Sequence, residues 1–163
     1  MKLSYMPELY NKKNKEQLVD DLNKELFDRV TLSFYKYVQL QNLMELRDLL
    51  YLDWNNLGIL GRIYIAEEGI NAQISIPENR LEDFRKNLNQ YSYFQNIPFK
   101  IAVQENISFY KLIIKVKKEI VAYGLTINDY NIEKTGVHLD AEEFNAMMDQ
   151  PNSVIVDMRN HYE

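Results

Sequence analysis

The segment at residues 61–77, GRIYIAEEGINAQISIP, constrains the fold more than any other part of the sequence. Two short runs that alternate between apolar and polar residues flank the joint Glu67-Glu68-Gly69, a pattern that indicates two strands joined by a tight turn. Polar side chains recur on one side of this pair: Arg62, Asn71, Gln73 and Ser75. A hairpin that only contributed to a core would not need them, so we expect function on that side.

The composition excludes several functional classes. The chain has 163 residues and a net charge of −5, so a polyanion site has to be a local basic patch. It contains no cysteine, which excludes disulfides, a thiolate nucleophile and a cysteine metal site within these residues. His138 and His161 are isolated, so we expect surface or interdomain hydrogen bonding from each and no metal site. The sequence shows neither a signal peptide nor an apolar run near the ~18 residues of a membrane span, so we expect a cytoplasmic protein without membrane contact.

Periodicity predicts the secondary structure. Asn14 with Gln17 and Asp140 with Glu143 have the spacing of capping boxes at helix starts. Apolar residues recur at helical spacing at residues 14–28, 43–57, 81–91 and 140–148, which predicts four helices. Gly58 directly follows the second of these segments and fits the C-terminal end of that helix. Alternation or clustered β-formers predict strands at residues 31–37, 59–66, 70–76, 99–104, 110–121 and 154–156.

The order of these elements predicts an α+β fold. From residue 31 to 104 it reads β-α-β-β-α-β, the ferredoxin-like split βαβ unit, with helices on one sheet face. We expect a helical extension at 1–28, the ferredoxin-like domain at 29–127, and a linker with the start of a second domain at 128–163. A helix and one strand cannot close a core, so we expect the chain to be part of a longer protein.

Strand parity assigns side chains to the two sheet faces. The predicted helix-facing side chains are Leu32, Phe34, Ile63, Ile65, Ile70, Ala72, Ile74, Ile76, Phe99, Ile101 and Val103. The predicted side chains of the other face are Ser33, Tyr35, Tyr37, Arg62, Tyr64, Asn71, Gln73, Ser75 and Lys100. Mixtures of aromatic, amide and basic groups bind single-stranded nucleic acid. The alternative is that a later segment covers this face and the tyrosines are half-buried packing residues.

Five stretches are distinctive in their wording: SFYKY at residues 33–37, GRIYIAEEGINAQISIP at 61–77, KVKKEIVAYG at 115–124, AEEFNAMM at 141–148 and DMRNHYE at 157–163. In these stretches the chain resembles the rhodanese-like tRNA uridine hydroxylase family, and the resemblance covers about four-fifths of the chain. The resemblance implies an N-terminal acylphosphatase-like (ferredoxin-like) domain followed by a rhodanese domain. It also implies oxygen-dependent 5-hydroxylation of the wobble uridine of tRNA.

The same resemblance implies what this chain lacks. The family's essential cysteine lies beyond Glu163, so we expect no catalytic residue and no activity in this chain alone. We expect no cofactor and no metal here, with molecular oxygen as the family's co-substrate. The expected partners are tRNA and the rest of the rhodanese domain. Asp157, Arg159 and Glu163 fit the DxRxxxE pattern of a rhodanese first strand, where Arg159 can pair with a carboxylate and hold the fold.

Basic and amide residues of the first domain are the candidates for tRNA contact. Lys111, Lys115 and Lys117 share one parity of a strand, and Lys118 completes a basic stripe. The alternative for this stripe is a solvated edge strand protected by lysines. Lys36 and Arg62 could reach phosphates, and Asn71 could hydrogen-bond a base edge.

Glu67 and Glu68 do not fit a shared-proton pair, because adjacent residues in a strand joint point in different directions. We expect a solvated role beside the turn, with a substrate or domain contact as the alternative.

Three functions remain to be compared. The first is a tRNA-docking part of a uridine hydroxylase, and the second is a module that braces the rhodanese domain without touching RNA. Acylphosphatase activity is not expected, because the loop at residues 38–42, VQLQN, has neither the glycines nor the arginine of an anion clamp.

Overall fold

The computed structural model describes residues 9–102, 109–120, 124, 134 and 136–156 of the chain. Two compact units divide it, Met1–Ile132 and Glu133–Glu163. In the described residues, the first unit holds a sheet with three α-helices and the second holds one α-helix. The domain boundaries expected at residues 28 and 127 remain predictions.

The sheet has the predicted ferredoxin-like topology with one additional strand. Its strands are β1 (Arg29–Tyr37), β2 (Leu60–Ala66), β3 (Gly69–Pro77), β4 (Lys100–Ala102) and β5 (Leu112–Val116). They are arranged in the order β4-β1-β3-β2-β5. The neighbours among β1 to β4 are antiparallel, whereas β5 pairs parallel with β2. The first four strands therefore confirm the predicted α+β fold, and β5 widens the sheet on the β2 side.

Apart from the end of the first helix, the helices begin and end close to the predicted residues. They are α1 (Lys15–Asn23), α2 (Leu43–Asn56), α3 (Leu81–Gln90) and α4 (Ala141–Met148). Both predicted capping boxes are present, at Asn14 and at Asp140. Gly58, with a φ of +70°, follows the end of α2 in the left-handed conformation that glycine adopts easily.

The prediction that α1 extends to residue 28 is wrong. The helix ends at Asn23, and Leu26 is fully exposed. The carboxylate of Glu25 accepts two hydrogen bonds from the Arg29 guanidinium, at 2.6 and 2.8 Å. This bidentate contact holds the chain in the turn into β1.

The core lies between one sheet face and the helices α2 and α3. The strand side chains predicted to face the helices are buried on β1, β2 and β3. Rings from both layers meet there: Phe34 lies 6.4 Å from Trp54 and 6.0 Å from Phe84, centroid to centroid. Large buried aromatic side chains contribute strongly to the stability of a domain of this size.

A polar network joins the two helices at the border of this core. Asp53 on α2 accepts hydrogen bonds from Asn87 and from the hydroxyl of Tyr91, at 2.8 and 2.7 Å. Asn87 in turn accepts a hydrogen bond from the Trp54 indole at 3.1 Å. Burial, together with the hydrogen bond to Asp53, raises the pKa of Tyr91 well above its usual value.

Ile101 pairs with Leu32, so it points to the helix-facing side of the sheet as predicted, but it is 57% exposed because β4 is a short strand at the sheet edge. One further prediction about apolar residues is wrong. The residues 154–156 are exposed and do not form the expected buried strand, since no described strand supplies the hydrogen-bonding partner. Val103 lies outside the described residues.

Candidate nucleic-acid interface

Strand register brings the polar side chains of the sheet together on the face away from the core. Residues paired across neighbouring strands point to the same face, so the pairing defines rows of side chains. One row consists of Lys100, Ser33, Gln73, Arg62 and Ile113. The next row consists of Tyr35, Asn71, Tyr64 and Lys115. We call this surface the open face.

The open face is accessible in the part of the chain that the structure describes. Tyr35 is 53% exposed and Tyr37 is 37% exposed. Arg62, Gln73, Lys100 and Lys115 are exposed, while Asn71 and Tyr64 are half-buried. The described residues of this face are therefore accessible to a ligand.

The charge of the open face is opposite to that of the chain as a whole. Its cations are Arg62, Lys100, Lys115 and Lys117, and none of the side chains in its described cross-strand rows is acidic. The ammonium group of Lys117 lies 5.4 Å from the centroid of the Tyr64 ring, within the range of a cation–π contact. The local basic patch that an acidic protein needs for a polyanion is therefore present.

Two tyrosines of β1 meet on this face. The rings of Tyr35 and Tyr37 are 6.4 Å apart and stand edge to face at 76°. Burial, followed by the nearby carboxylate of Glu68 and by Tyr35, raises the pKa of Tyr37. The Tyr37 hydroxyl therefore stays protonated at neutral pH and can donate a hydrogen bond.

The structure brings only some of the predicted contact residues together. Arg62, Asn71 and Lys115 lie in the two rows of the open face, and Lys117 follows β5 beside Tyr64. Lys36 lies on the opposite face, where its ammonium group donates to the carbonyl of Gln95 at 3.1 Å.

The remaining predicted residues lie elsewhere. Lys118 is exposed beyond the end of β5. Lys111 precedes β5 and lines a groove of about 570 Å³ with the N-terminal segment around Lys12 and Lys13. Asp157, Arg159, Glu163 and His161 lie outside the described residues. His138 is exposed.

Two arginines that sequence reasoning did not single out have structural roles. Besides Glu25, Arg29 contacts the carbonyls of Ser75 and Gly58, at 3.1 and 3.0 Å. Arg47 donates to the carbonyl of Ile114 on β5, to that of Leu9 and to the carboxylate of Asp48. These contacts engage both guanidinium groups inside the domain, so we do not count them among the cations that a ligand would meet.

The joint between β2 and β3 separates its two glutamates. Glu67 is exposed, as expected, but the solvated role is wrong for Glu68, which is only 4% exposed. Its carboxylate accepts a hydrogen bond from the Ile120 backbone at 2.6 Å. A side chain at Gly69 would place its Cβ 2.0 Å from the Lys36 carbonyl oxygen, so glycine is required for this close approach.

The loop between β1 and α2 does not form an anion site. It lines a groove of about 880 Å³ whose walls include Gln39, Gln41 and Asn42. The same walls carry two carboxylates, Glu45 and Glu67, and no cation. The two carboxylates would repel a phosphate there.

The described residues contain no cluster of His, Cys, Asp and Glu side chains that could hold a metal ion. None of their helices is long and apolar enough to cross a membrane.

Comparison with known proteins identifies relatives over nearly the whole chain. Residues 29–120 match the family described as UPF0176 acylphosphatase like domain. A protein of Leptospira interrogans named tRNA uridine(34) hydroxylase is 54% identical over 156 residues, which are 95% of this chain and 42% of that protein. Proteins of the same name from Hamiltonella defensa and Enterobacter sp. are 44% and 43% identical over 97% of the chain. The aligned residues make up 45% and 46% of these two proteins, so the chain spans less than half the length of these relatives.

Similarity to solved structures is weaker. The dark-state structure of BlrB, a BLUF protein, is 13% identical with a TM-score of 0.45. That match covers 56% of this chain and 74% of the other.

Proposed function

The chain belongs to the UPF0176 acylphosphatase-like domain family, and we propose that it is the N-terminal part of a tRNA uridine(34) hydroxylase. The proposal is supported by the relatives of that name, which align with almost all of this chain. The reaction proposed for the whole protein is the oxygen-dependent addition of a hydroxyl group at position 5 of the wobble uridine. The catalytic cysteine of that protein would lie outside this chain, in its rhodanese domain.

We further propose that the ferredoxin-like domain docks the tRNA through its open face. The observation that carries this proposal is the accessible set of cations on a chain with a net charge of −5. Lysine and arginine side chains that neutralise phosphates release counterions, which drives binding without requiring a particular sequence. The domain would then contribute to catalysis by holding the tRNA in place, because the chemistry is assigned to another part of the protein.

Exposed tyrosines also favour a second function, in which the domain braces the rest of a longer protein and does not touch RNA. Tyrosine is enriched at protein interfaces, so Tyr35 and Tyr37 would suit such a contact. The salt dependence of RNA binding separates the two functions, because phosphate binding by the cations depends strongly on salt.

Titration of tRNA with the 163-residue chain over a range of salt concentrations tests the docking proposal. We expect binding at low salt that weakens as salt rises, and a slope of log K against log salt that falls by about one per lysine in Lys115→Ala/Lys117→Ala. The matched control is Lys36→Ala/Lys86→Ala, which removes the same charge from the helix side of the sheet. Equal effects of the two double variants, or no binding at low salt, would favour the bracing function.

A further inference from the structure

The exposed tyrosines of the open face lie on one side of β3 and three of its four cations lie on the other, and we call these sides its aromatic part and its cationic part. The fourth cation, Lys100, lies on β4, on the aromatic side. Tyr35 and Tyr37 lie on β1. Arg62 on β2, Lys115 on β5 and Lys117 after it lie on the other side of β3. The register places Tyr35 and Lys115 in one row, three strand spacings or roughly 14 Å apart at the backbone.

The tyrosines of this row are not equivalent. Tyr64 is half-buried, and the ammonium group of Lys117 lies over its ring. Tyr35 touches Tyr37 edge to face and keeps 53% of its surface exposed. An edge-to-face contact covers less of the paired rings than stacking would, so Tyr35 is the better platform for a flat ligand.

Asn71 stands between the two tyrosines in the same row. Its amide can donate and accept hydrogen bonds at once, which suits the edge of a nucleobase. Gln73 repeats the same chemistry one row away, beside Arg62. A stacking platform, amide groups and cations thus follow one another across the sheet.

Building on the docking function proposed above, we propose that the open face binds single-stranded RNA in a defined orientation. A base stacks on Tyr35, Asn71 contacts the base edge, and the backbone phosphates lie towards Arg62, Lys115 and Lys117. A duplex fits this arrangement poorly, because its bases are stacked on each other and a ring on a flat sheet cannot reach their faces. The preferred part of a tRNA is therefore an unpaired loop.

Two RNA probes test this selectivity on the 163-residue chain. One is an unstructured RNA of roughly ten nucleotides, within the usual site size of such surfaces, and the other is a blunt duplex of the same strand. Fluorescence anisotropy of labelled probes gives both affinities at one salt concentration. We expect the single strand to bind at least about tenfold more tightly, since only its bases are free to stack.

Variants of Tyr35 test the orientation. We expect Tyr35→Leu to weaken single-strand binding by about 5- to 160-fold, the loss of one stacked base, while the salt slope stays unchanged. Tyr35→Phe retains the ring and should bind as the unchanged chain does. Tyr10→Leu is the control, because Tyr10 is similarly exposed at 57% but lies outside the sheet.

The outcomes separate this inference from the proposed function. If Lys115→Ala/Lys117→Ala weakens tRNA binding but Tyr35→Leu does not, docking stands and the stacking orientation is wrong. Equal affinity for the duplex and the single strand also overturns the inference and leaves docking intact. Absence of any RNA binding at low salt overturns both.

Discussion

For Glu68, the predicted separation from Glu67 is correct, whereas the predicted exposure to solvent is wrong. Sequence reasoning separated Glu67 from Glu68, because neighbouring residues in a strand joint point in different directions. The burial of Glu68 could not be predicted in this way. It depends on Ile120, which lies 52 residues later and returns to the β2–β3 joint only after β5 has paired with β2.

Removal of the buried carboxylate should destabilise the domain. Glu68→Ala leaves the Ile120 backbone N–H without its acceptor, and we expect a loss of about 2–3 kcal/mol in the free energy of unfolding. Glu68→Gln keeps an acceptor oxygen and should lose less. Urea denaturation followed by fluorescence of the buried Trp54 measures both. Glu67→Ala is the control, and an equal loss in this exposed neighbour would contradict the role assigned to Glu68.

Lys36 is a candidate for tRNA contact because of its charge, but it does not lie on the open face. It shares its strand parity with Phe34, which faces the helices, so strict alternation would have removed it from the open face. The place of Arg62 and Asn71 on the open face was predictable from strand parity. The place of Lys115 was predictable because it lies on the polar side of β5. The contact between Lys117 and Tyr64 was not predictable, because it depends on which strand β5 joins.

At the level of elements, alternation and helical periodicity were enough to predict β1 to β3, α2, α3 and the ferredoxin-like order. Edge elements were predicted less well. β4 is short and leaves Ile101 exposed, and β5 was predicted as a strand without a place in the sheet. Alternation indicates that a strand has a buried face, but it does not identify the neighbouring strand.

The network between α2 and α3 predicts a dependence of stability on pH. The pKa of Tyr91 is raised above the usual 10.0, first by burial and then by Asp53. The neutral Tyr91 hydroxyl therefore contributes fully to the free energy of unfolding below pH 10, and this contribution is lost as the pH rises towards the folded-state pKa. We expect Tyr91→Phe to cost about 1 kcal/mol at pH 7, the value of one hydrogen bond.

Above pH 10 the same variant should lose less stability per pH unit than the unchanged chain, because the group whose pKa differs between the two states has been removed. Urea denaturation at pH 7, 10 and 10.5 measures this difference. Parallel stability curves for the two proteins would show that Tyr91 is not responsible.

At the scale of the whole molecule, the distribution of charge is more important for RNA binding than the net charge. A net charge of −5 would discourage RNA binding if it were spread evenly, yet one face of the sheet carries four cations. The sequence already showed the lysine stripe. It could not show that Arg62 and Lys100 join the stripe on one surface, since that requires the strand order.

The proposed function predicts how a full-length relative with these residues should respond. Arg62→Ala/Lys115→Ala should raise KM for tRNA by about tenfold and leave kcat within about twofold, because the domain is assigned to docking. Steady-state hydroxylation assays with varied tRNA measure both constants. A fall in kcat at unchanged KM would instead place these residues in the chemical step.

The parallel pairing of β5 with β2 also bears on the order in which the chain folds. Gly61 pairs with Leu112, a contact between distant parts of the sequence, whereas β2 and β3 are joined by a tight turn. Closing the long loop costs entropy before the contact is formed, so β5 is expected to add to a sheet that already exists. A partly folded chain would then have β1 to β3 in place and lack the lysines of β5. The hairpin that dominates the sequence pattern would form early, and the cationic part of the open face would be completed last.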